Sequence, residues 1–331
     1  MTGRTQCVEI GGCKSDFLPI SCGVPQGSIL GPLLFLVFIN DMKISITCDL
    51  SLYADDSALL FSHKDASVIG ERLSKELALC NQWLVDNKLS LHVGKTECIL
   101  FGSKRRLKGA TDFSVNLDGN AVTQVFHAKY LGVLLDSNVN GSLHAANLLK
   151  VSHGRLAFLY RNASLLDSHT RKILCSALIQ PFLDYCCSSW YDGLPALSKT
   201  RLETFQRKMV RFILGFDNRH HVGPTEFRSL NWLTIPDRVL FFKLTHLFKI
   251  RKGRAPNYLR TRFTSVSDTH AYRTRSSHVN FHLSGPFASV PASFAFSSAK
   301  QWNALPNRIK EIESLVSFKR ELRKYLFSRY D

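Results

Sequence analysis

The sequence runs to 331 residues, 45% hydrophobic and 21% charged, which excludes wholesale disorder and leaves room for two or three domains. Its net charge of +17 calls for a polyanionic partner, either nucleic acid or an acidic membrane surface. No signal peptide is visible, and the longest strongly apolar stretch, residues 29–39, is too short to span a bilayer and is interrupted by Gly31 and Pro32. These features predict an intracellular chain, nuclear or cytoplasmic, and not a secreted one. Residues 5–20 read as two short strands about Gly11-Gly12. A glycine-rich loop, Gly23-Val24-Pro25-Gln26-Gly27-Ser28, then feeds an apolar run from Leu33 to Ile39, which reads as a buried helix with Pro32 in its first turn.

Residues 49–62 form the clearest hairpin, with leucines on both arms and Ala54-Asp55-Asp56-Ser57 between them. Val68 to Asn87 has helical spacing, with Ile69, Leu73, Leu77, Cys80 and Leu84 on one side. Leu89 to Phe101 reads as strand–turn–strand around Gly94, and a further hairpin turns at Asp118-Gly119. Tyr130 to Leu135 reads as a last buried strand. Beyond about residue 140 the pattern turns helical. Ser168 is placed to cap one helix, kinked at Pro181, and Ser198 another that ends at Gly215 and buries Leu202, Phe205, Met209, Phe212 and Ile213. Residues 252–300 read as a loosely organised surface segment, and Phe318, Leu322, Tyr325 and Leu326 mark a final basic helix. The nine cysteines are odd in number and lack metal-ligand spacing, so reduced and mostly buried thiols are expected.

Charge divides the chain. Residues 1–100 carry 8 Lys and Arg against 11 Asp and Glu, whereas residues 101–331 carry 35 against 15. A near-neutral first part followed by a strongly basic remainder suits a chemical site followed by a binding surface. The candidate chemistry lies in Tyr53-Ala54-Asp55-Asp56. Two adjacent carboxylates repel each other, and divalent cations would neutralise them. Magnesium takes oxygen ligands and is commonly held by one or two carboxylates plus substrate phosphates, and two such ions can serve a nucleotidyl transfer. In the Gly23–Ser28 loop the glycines allow close backbone approach, and Gln26 and Ser28 offer hydrogen bonds. Lys95, after the hairpin, is a candidate general acid. Lys104-Arg105-Arg106-Leu107-Lys108 is a compact basic cluster suited to nucleic acid or to a weak nuclear signal. Arg207 and Arg211, spaced i, i+4 on the Ser198 helix, would present one face to phosphates.

The order GVPQGS, YADD, GKTE, YLGVLLD resembles the reverse transcriptases of LINE-type (non-LTR) retrotransposons, especially the Jockey-like branch. The likeness continues through residues 171–191, Asn231-Trp232-Leu233 and Trp302-Asn303-Ala304-Leu305-Pro306. It implies an α+β fold: a partial right-hand polymerase palm over 1–137 (an antiparallel sheet with helices), a thumb-like helical region over 138–220 and a C-terminal basic helical region over 221–331. It further implies RNA-directed DNA synthesis on an RNA template and DNA primer, or an RNA/DNA hybrid, with Mg2+ at Asp55 and Asp56. Gln26, Gly27 and Ser28 would line the templating base and nucleotide. Tyr53 and Ala54 would lie near the primer end, and Tyr130, Leu131 and Gly132 would belong to the primer grip. Relatives place their first metal-binding aspartate well upstream of GVPQGS, and only 22 residues precede Gly23 here. The resemblance therefore also implies an amino-terminally truncated palm without fingers, inactive alone. The alternative is a non-enzymatic nucleic-acid-binding remnant.

Overall fold

A computed structural model describes residues 3–20, 23–25, 27–269, 279–283 and 292–330. Cys22, Gln26 and parts of the 252–300 segment lie outside the described residues. The fold is mixed α and β, and its strands pair only in twos. The expected antiparallel palm sheet is represented by separate two-stranded pairs, one of them parallel. The chain packs as two compact units, Met1–Phe126 and His127–Asp331.

The first unit begins with four two-residue strands, where the sequence suggested two: β1 (Thr5–Gln6), β2 (Glu9–Ile10), β3 (Cys13–Lys14) and β4 (Leu18–Pro19). β2 and β3 join through Gly11-Gly12, both at positive φ, and β1 pairs with β4. Helices α1 (Leu30–Ile39) and α2 (Met42–Ser45) follow, then the hairpin β5 (Asp49–Tyr53) and β6 (Asp56–Leu60). Helix α3 (Ala66–Asp86) is capped by Asp65, whose carboxylate accepts from the Ser67 amide at 3.0 Å. A 3-10 turn (Val93–Lys95) and β7 (Glu97–Cys98) replace the strand–turn–strand expected around Gly94. The unit closes with α4 (Lys104–Lys108), β8 (Asn116–Leu117), β9 (Asn120–Ala121) and β10 (Thr123–Gln124). Asp118 and Gly119, at φ +49 and +81, form the expected turn between β8 and β9.

Helix α3 organises this unit. Cys80 and Trp83 pack with Ile39, Met42, Ile46 and Cys48, and Leu77 packs with Phe113, Val115, Leu117 and Val122. Gly70 is required by close approach: a Cβ there would come 2.3 Å from the Ser114 carbonyl oxygen. Glu76, 1% exposed, accepts from the Thr47 amide at 2.9 Å and from its hydroxyl, and meets Arg72 at 2.9 Å. Burial alone would raise the Glu76 carboxyl, but the Thr47 and Cys48 hydrogen bonds and Arg72 hold it below the usual range. Helix α1 departs from expectation. It is apolar all round, which ordinarily means burial, yet only Gly31 and Ile39 are buried. Leu30, Leu33, Leu34, Leu36, Val37 and Phe38 are exposed, because nothing among the described residues of the unit covers them.

The second unit opens on a hairpin, β11 (His127–Tyr130) and β12 (Val133–Asp136). The single buried strand expected over Tyr130–Leu135 is broken at Leu131 and Gly132, both at positive φ. Helices α5 (Ser142–Arg161), α6 (Ser168–Leu178), α7 (Gln180–Asp184), α8 (Cys187–Trp190) and α9 (Ala196–Leu214) follow. The cap of α6 is Asp167 rather than Ser168, its carboxylate accepting from the Thr170 amide at 2.7 Å. Helix α9 starts earlier than expected: Pro195 stands at its cap and Ser198 lies within its first turn. Its far end is as expected, with Gly215 at φ +71. Its predicted apolar stripe is fully buried.

The chain then runs through α10 (Pro224–Ser229), α11 (Ile235–Arg251), α12 (Asn257–Arg260), α13 (Val266–Thr269), α14 (Phe294–Asn303), α15 (Asn307–Lys310) and α16 (Leu315–Phe327). One core gathers α5, α6, α9 and the start of α11, and a second gathers the rest of α11 with α14 and α16. The WNALP segment anchors the latter. Trp302 stacks with Phe318 at 5.7 Å and donates to the Val279 carbonyl at 2.8 Å, and Asn303 pairs with both backbone groups of Phe281. Lys243 is fully buried and paired with Asp192. Of the eight described cysteines, all are free, four of them buried. No helix of the described residues is long and apolar enough to cross a membrane.

Candidate active site

The β5–β6 hairpin pairs in an unbroken register from Asp49 with Leu60 to Tyr53 with Asp56. This leaves Ala54 and Asp55 as the two-residue turn. Leu50, Leu52 and Leu59 lean on the Ile39–Trp83 cluster and fix one face of the hairpin. Side chains alternate along strands, so Tyr53 (65% exposed), Asp55 and Asp56 are left in solvent at its tip. Ala54 sits at φ +52, a left-handed conformation that a residue with a Cβ adopts at a cost. The tip is thus a strained turn carrying two carboxylates beyond an apolar base.

Oxygen donors of this kind suit a divalent cation such as magnesium, which needs few protein carboxylates when substrate phosphates complete its shell. Among the described residues no group of three or more His, Cys, Asp and Glu comes together as a metal site. Asp55 and Asp56 therefore fit one share of such a site.

In the glycine-rich loop, Gly27 takes φ +80 and Gln26 lies outside the described residues. The Ser28 hydroxyl accepts from the Gly31 amide at 3.0 Å at the start of α1, so at least one of its lone pairs serves the helix. Lys95 is exposed in the 3-10 turn, its amide bonded to the His92 carbonyl at 3.0 Å. All of these residues belong to the first unit.

Tyr130, Leu131 and Gly132 belong to the second unit, at the β11–β12 turn. Sequence reading missed what holds that turn. Tyr185 donates from its hydroxyl to the Leu131 carbonyl at 2.7 Å, and a Cβ on Gly132 would come 3.2 Å from the Tyr185 ring. The buried His144 ring accepts from the Leu134 amide at 3.2 Å and lies edge-on to Trp190. Nothing in the linear spacing joins Tyr185 to a turn 54 residues earlier. Arg207 and Arg211 do share a helix, but both have local partners. Arg207 lies 3.9 Å from Glu203, and Arg211 donates to the His220 carbonyl at 2.7 Å.

Comparison with known proteins bears directly on these motifs. The family of reverse transcriptases (RNA-dependent DNA polymerases) matches residues 4–135, a span that contains the loop, the hairpin, Lys95 and the β11–β12 turn. The RNA-directed DNA polymerase from the mobile element jockey of Drosophila melanogaster is 28% identical over 224 residues, 64% of this chain and 24% of the relative. Two probable RNA-directed DNA polymerases of the same organism are also similar. That of transposon X-element is 27% identical over 65% of this chain and 24% of its own, and that of transposon BS is 30% identical over 66% and 25%. The chain spans about a quarter of the length of these curated relatives. Residues 4–135, the segment that carries the two aspartates, match the reverse transcriptase family, and the chain as a whole is similar to the RNA-directed DNA polymerases of these mobile elements.

Proposed function

We propose that this chain supplies the aspartate hairpin and its neighbouring motifs to an RNA-directed DNA polymerase working by two-metal nucleotidyl transfer. The observation that carries the reading is the β5–β6 tip, where Asp55 and Asp56 stand exposed on a strained turn above an anchored apolar base. Bound magnesium would supply Lewis acidity to the attacking 3′-hydroxyl and the leaving pyrophosphate. The carboxylate of Asp55, with that of Asp56 assisting, would hold one side of that centre. Tyr53 and Ala54 lie beside the primer end, Gly27 and Ser28 line the nucleotide with Gln26, and Lys95 gives a proton to the departing pyrophosphate. Residues 1–137 act as palm, with Tyr130, Leu131 and Gly132 as primer grip. The helices of 138–220 act as thumb, presenting Arg207 and Arg211 to phosphates of the template–primer hybrid, and 221–331 form a basic tail.

A second reading, a non-enzymatic nucleic-acid-binding remnant, is favoured by the lack of a third carboxylate beside the pair among the described residues. Primer extension on an RNA template with magnesium separates the two. The 331-residue chain alone is expected to give no templated product, since two carboxylates do not hold both ions in line. A polymerase completed with the preceding segment of a related retrotransposon enzyme is expected to extend. In it, Asp55→Asn should abolish extension while hybrid binding persists, because the lost ligand acts on the transition state. Robust extension by the chain alone would reveal a further ligand within it. Near-normal turnover by the variant would remove Asp55 from the centre, and no extension by the completed enzyme would favour the remnant.

A further inference from the structure

One charged feature of the first unit is left unused by the polymerase motifs. Helix α4 carries four cations in five residues, Lys104, Arg105, Arg106 and Lys108 about Leu107. Like charges this close destabilise a short helix, and none of the four forms an ion pair among the described residues. Ser103 caps the turn, its hydroxyl accepting from the Arg106 amide at 3.4 Å. The cluster stands against the start of α3. Between the two lies a cleft of about 850 Å³ lined by Lys64, Asp65, Ala66 and Ser67 on one side and by Ser103, Arg105, Arg106, Gly109, Ala110 and Asp112 on the other.

The lining decides the chemistry. Three cations, Lys64, Arg105 and Arg106, face two carboxylates. Asp65 is already engaged by the amide and hydroxyl of Ser67, both at 3.0 Å, and Asp112 by the Thr111 hydroxyl at 3.1 Å. Among the described residues the cations have no such partners. The floor is small (Gly109, Ala110, Ala66), and no aromatic or large apolar side chain lines the cleft. Such a site can grip charged oxygens but has no platform for a base. We propose that the cleft between α3 and α4 binds the sugar–phosphate backbone of a nucleic-acid strand, without sequence preference, through Lys64, Arg105 and Arg106. The contact lies outside the polymerase motifs and does not depend on their activity.

Neutralising phosphates releases counterions, so each cation that meets one steepens the salt dependence, by about 0.7 in the logarithmic slope for a single strand. The experiment is a salt titration of fluorescence anisotropy with the whole 331-residue chain and a labelled oligothymidylate. Substituting Lys64→Gln, Arg105→Gln and Arg106→Gln together is expected to lower the slope by about 2. A control with Lys14→Gln, Lys75→Gln and Lys88→Gln removes the same charge from exposed positions elsewhere in the unit, and is expected to leave the slope within about half of one unit. A matching fall in both variants would mean diffuse attraction and overturn the site. An unchanged slope in the first variant would do so as well, including the case in which that variant loses only binding to an acidic peptide, the mark of a protein partner. Loss of primer extension in a completed enzyme would not mimic either result, since anisotropy reads binding without turnover.

Discussion

Among the described residues, the buried hydrophobic side chains of Met1–Phe126 fall into clusters of six and five, whereas His127–Asp331 holds clusters of twenty-four and twelve. The first unit instead shows leucines to solvent along α1, with Ile29 at 95% exposed beside them. The second locks its interior with paired charges and fully buried aromatics. The unit with the chemical motifs is therefore the less self-sufficient one, and the unit that follows it is a closed helical body. A contiguous surface of bare apolar residues, such as α1 carries, is characteristic of an interaction surface.

The largest expected effect lies in the second unit. Trp302→Ala removes a fully buried ring stacked on Phe318 and the bond to Val279, and should cost about 3–5 kcal/mol in chemical denaturation. A cost within the range of a surface substitution would mean that the tail core is loosely packed and that the contrast between the units is false. Next comes the buried pair. Lys243→Met alone should cost roughly 3 kcal/mol, because Asp192 is left poorly solvated, while Lys243→Met with Asp192→Leu should recover most of it. No recovery in the double variant would point to a role for the pair beyond mutual neutralisation.

How far the sequence disclosed this contrast varies by element. The stripe of α9 and the Asp118-Gly119 turn were legible because period and turn chemistry are local signals. The Tyr130–Leu135 run hid its turn because five of its six residues are apolar. The isolated Gly132, at φ +81, was the signal passed over. Capping at Asp167 in place of Ser168 is a shift of one between two good caps. The exposure of α1 was not legible, since an all-apolar helix carries no information about whether its cover is present. In the candidate site the motifs were legible from residue order, but the tethers through Tyr185 and His144 join positions far apart in sequence.

A smaller effect follows from protonation. Burial holds His144 and His246 below the ordinary histidine value, and it does the same to His153, aided there by Lys208. A depressed histidine is neutral in the folded state, so its contribution is fully present above about pH 6.5 and is lost as pH falls through the folded value. The second unit should therefore lose stability between pH 7 and pH 5, chiefly through the buried His144, since solvent screens the more exposed His153 and His246. Protonating His144 would also break its acceptance from Leu134. His144→Gln should flatten the pH profile of thermal unfolding, and a profile as steep as the parent's would clear His144 of the effect. Glu76 sets the opposite unit's acid limit: its lowered carboxyl contributes stability above about pH 4.5 that is lost at lower pH.

Helix α1 permits a change in association without much change in stability. Leu33→Gln with Leu36→Gln removes apolar surface that is already exposed, so the unfolding midpoint should move by no more than about 0.5 kcal/mol. Self-association in sedimentation should fall, since large bare patches drive it. An equally associated variant would show that the chain sticks through another surface.

The smallest effect concerns the turn that carries the two aspartates. Ala54 sits at φ +52, where a Cβ meets the following carbonyl at a cost of roughly 1–2 kcal/mol. Glycine would avoid that clash, but it also gives the unfolded chain more freedom to lose, worth roughly 0.5–1 kcal/mol. The two terms oppose each other, so Ala54→Gly should stabilise the β5–β6 hairpin by only about 0–1 kcal/mol. Hydrogen exchange at the amides of Ser51 and Ala58, which face each other across the ladder, would read this locally, where a global melt dominated by the second unit would not. Slower exchange means that the hairpin carries strain at its tip, as functional turns do when the surrounding structure holds them. Faster exchange would mean that the leucine base and the strand register already relieve the turn. The alanine would then be an ordinary turn residue, and the tip would owe its shape to packing against Trp83 and its neighbours rather than to stored backbone energy.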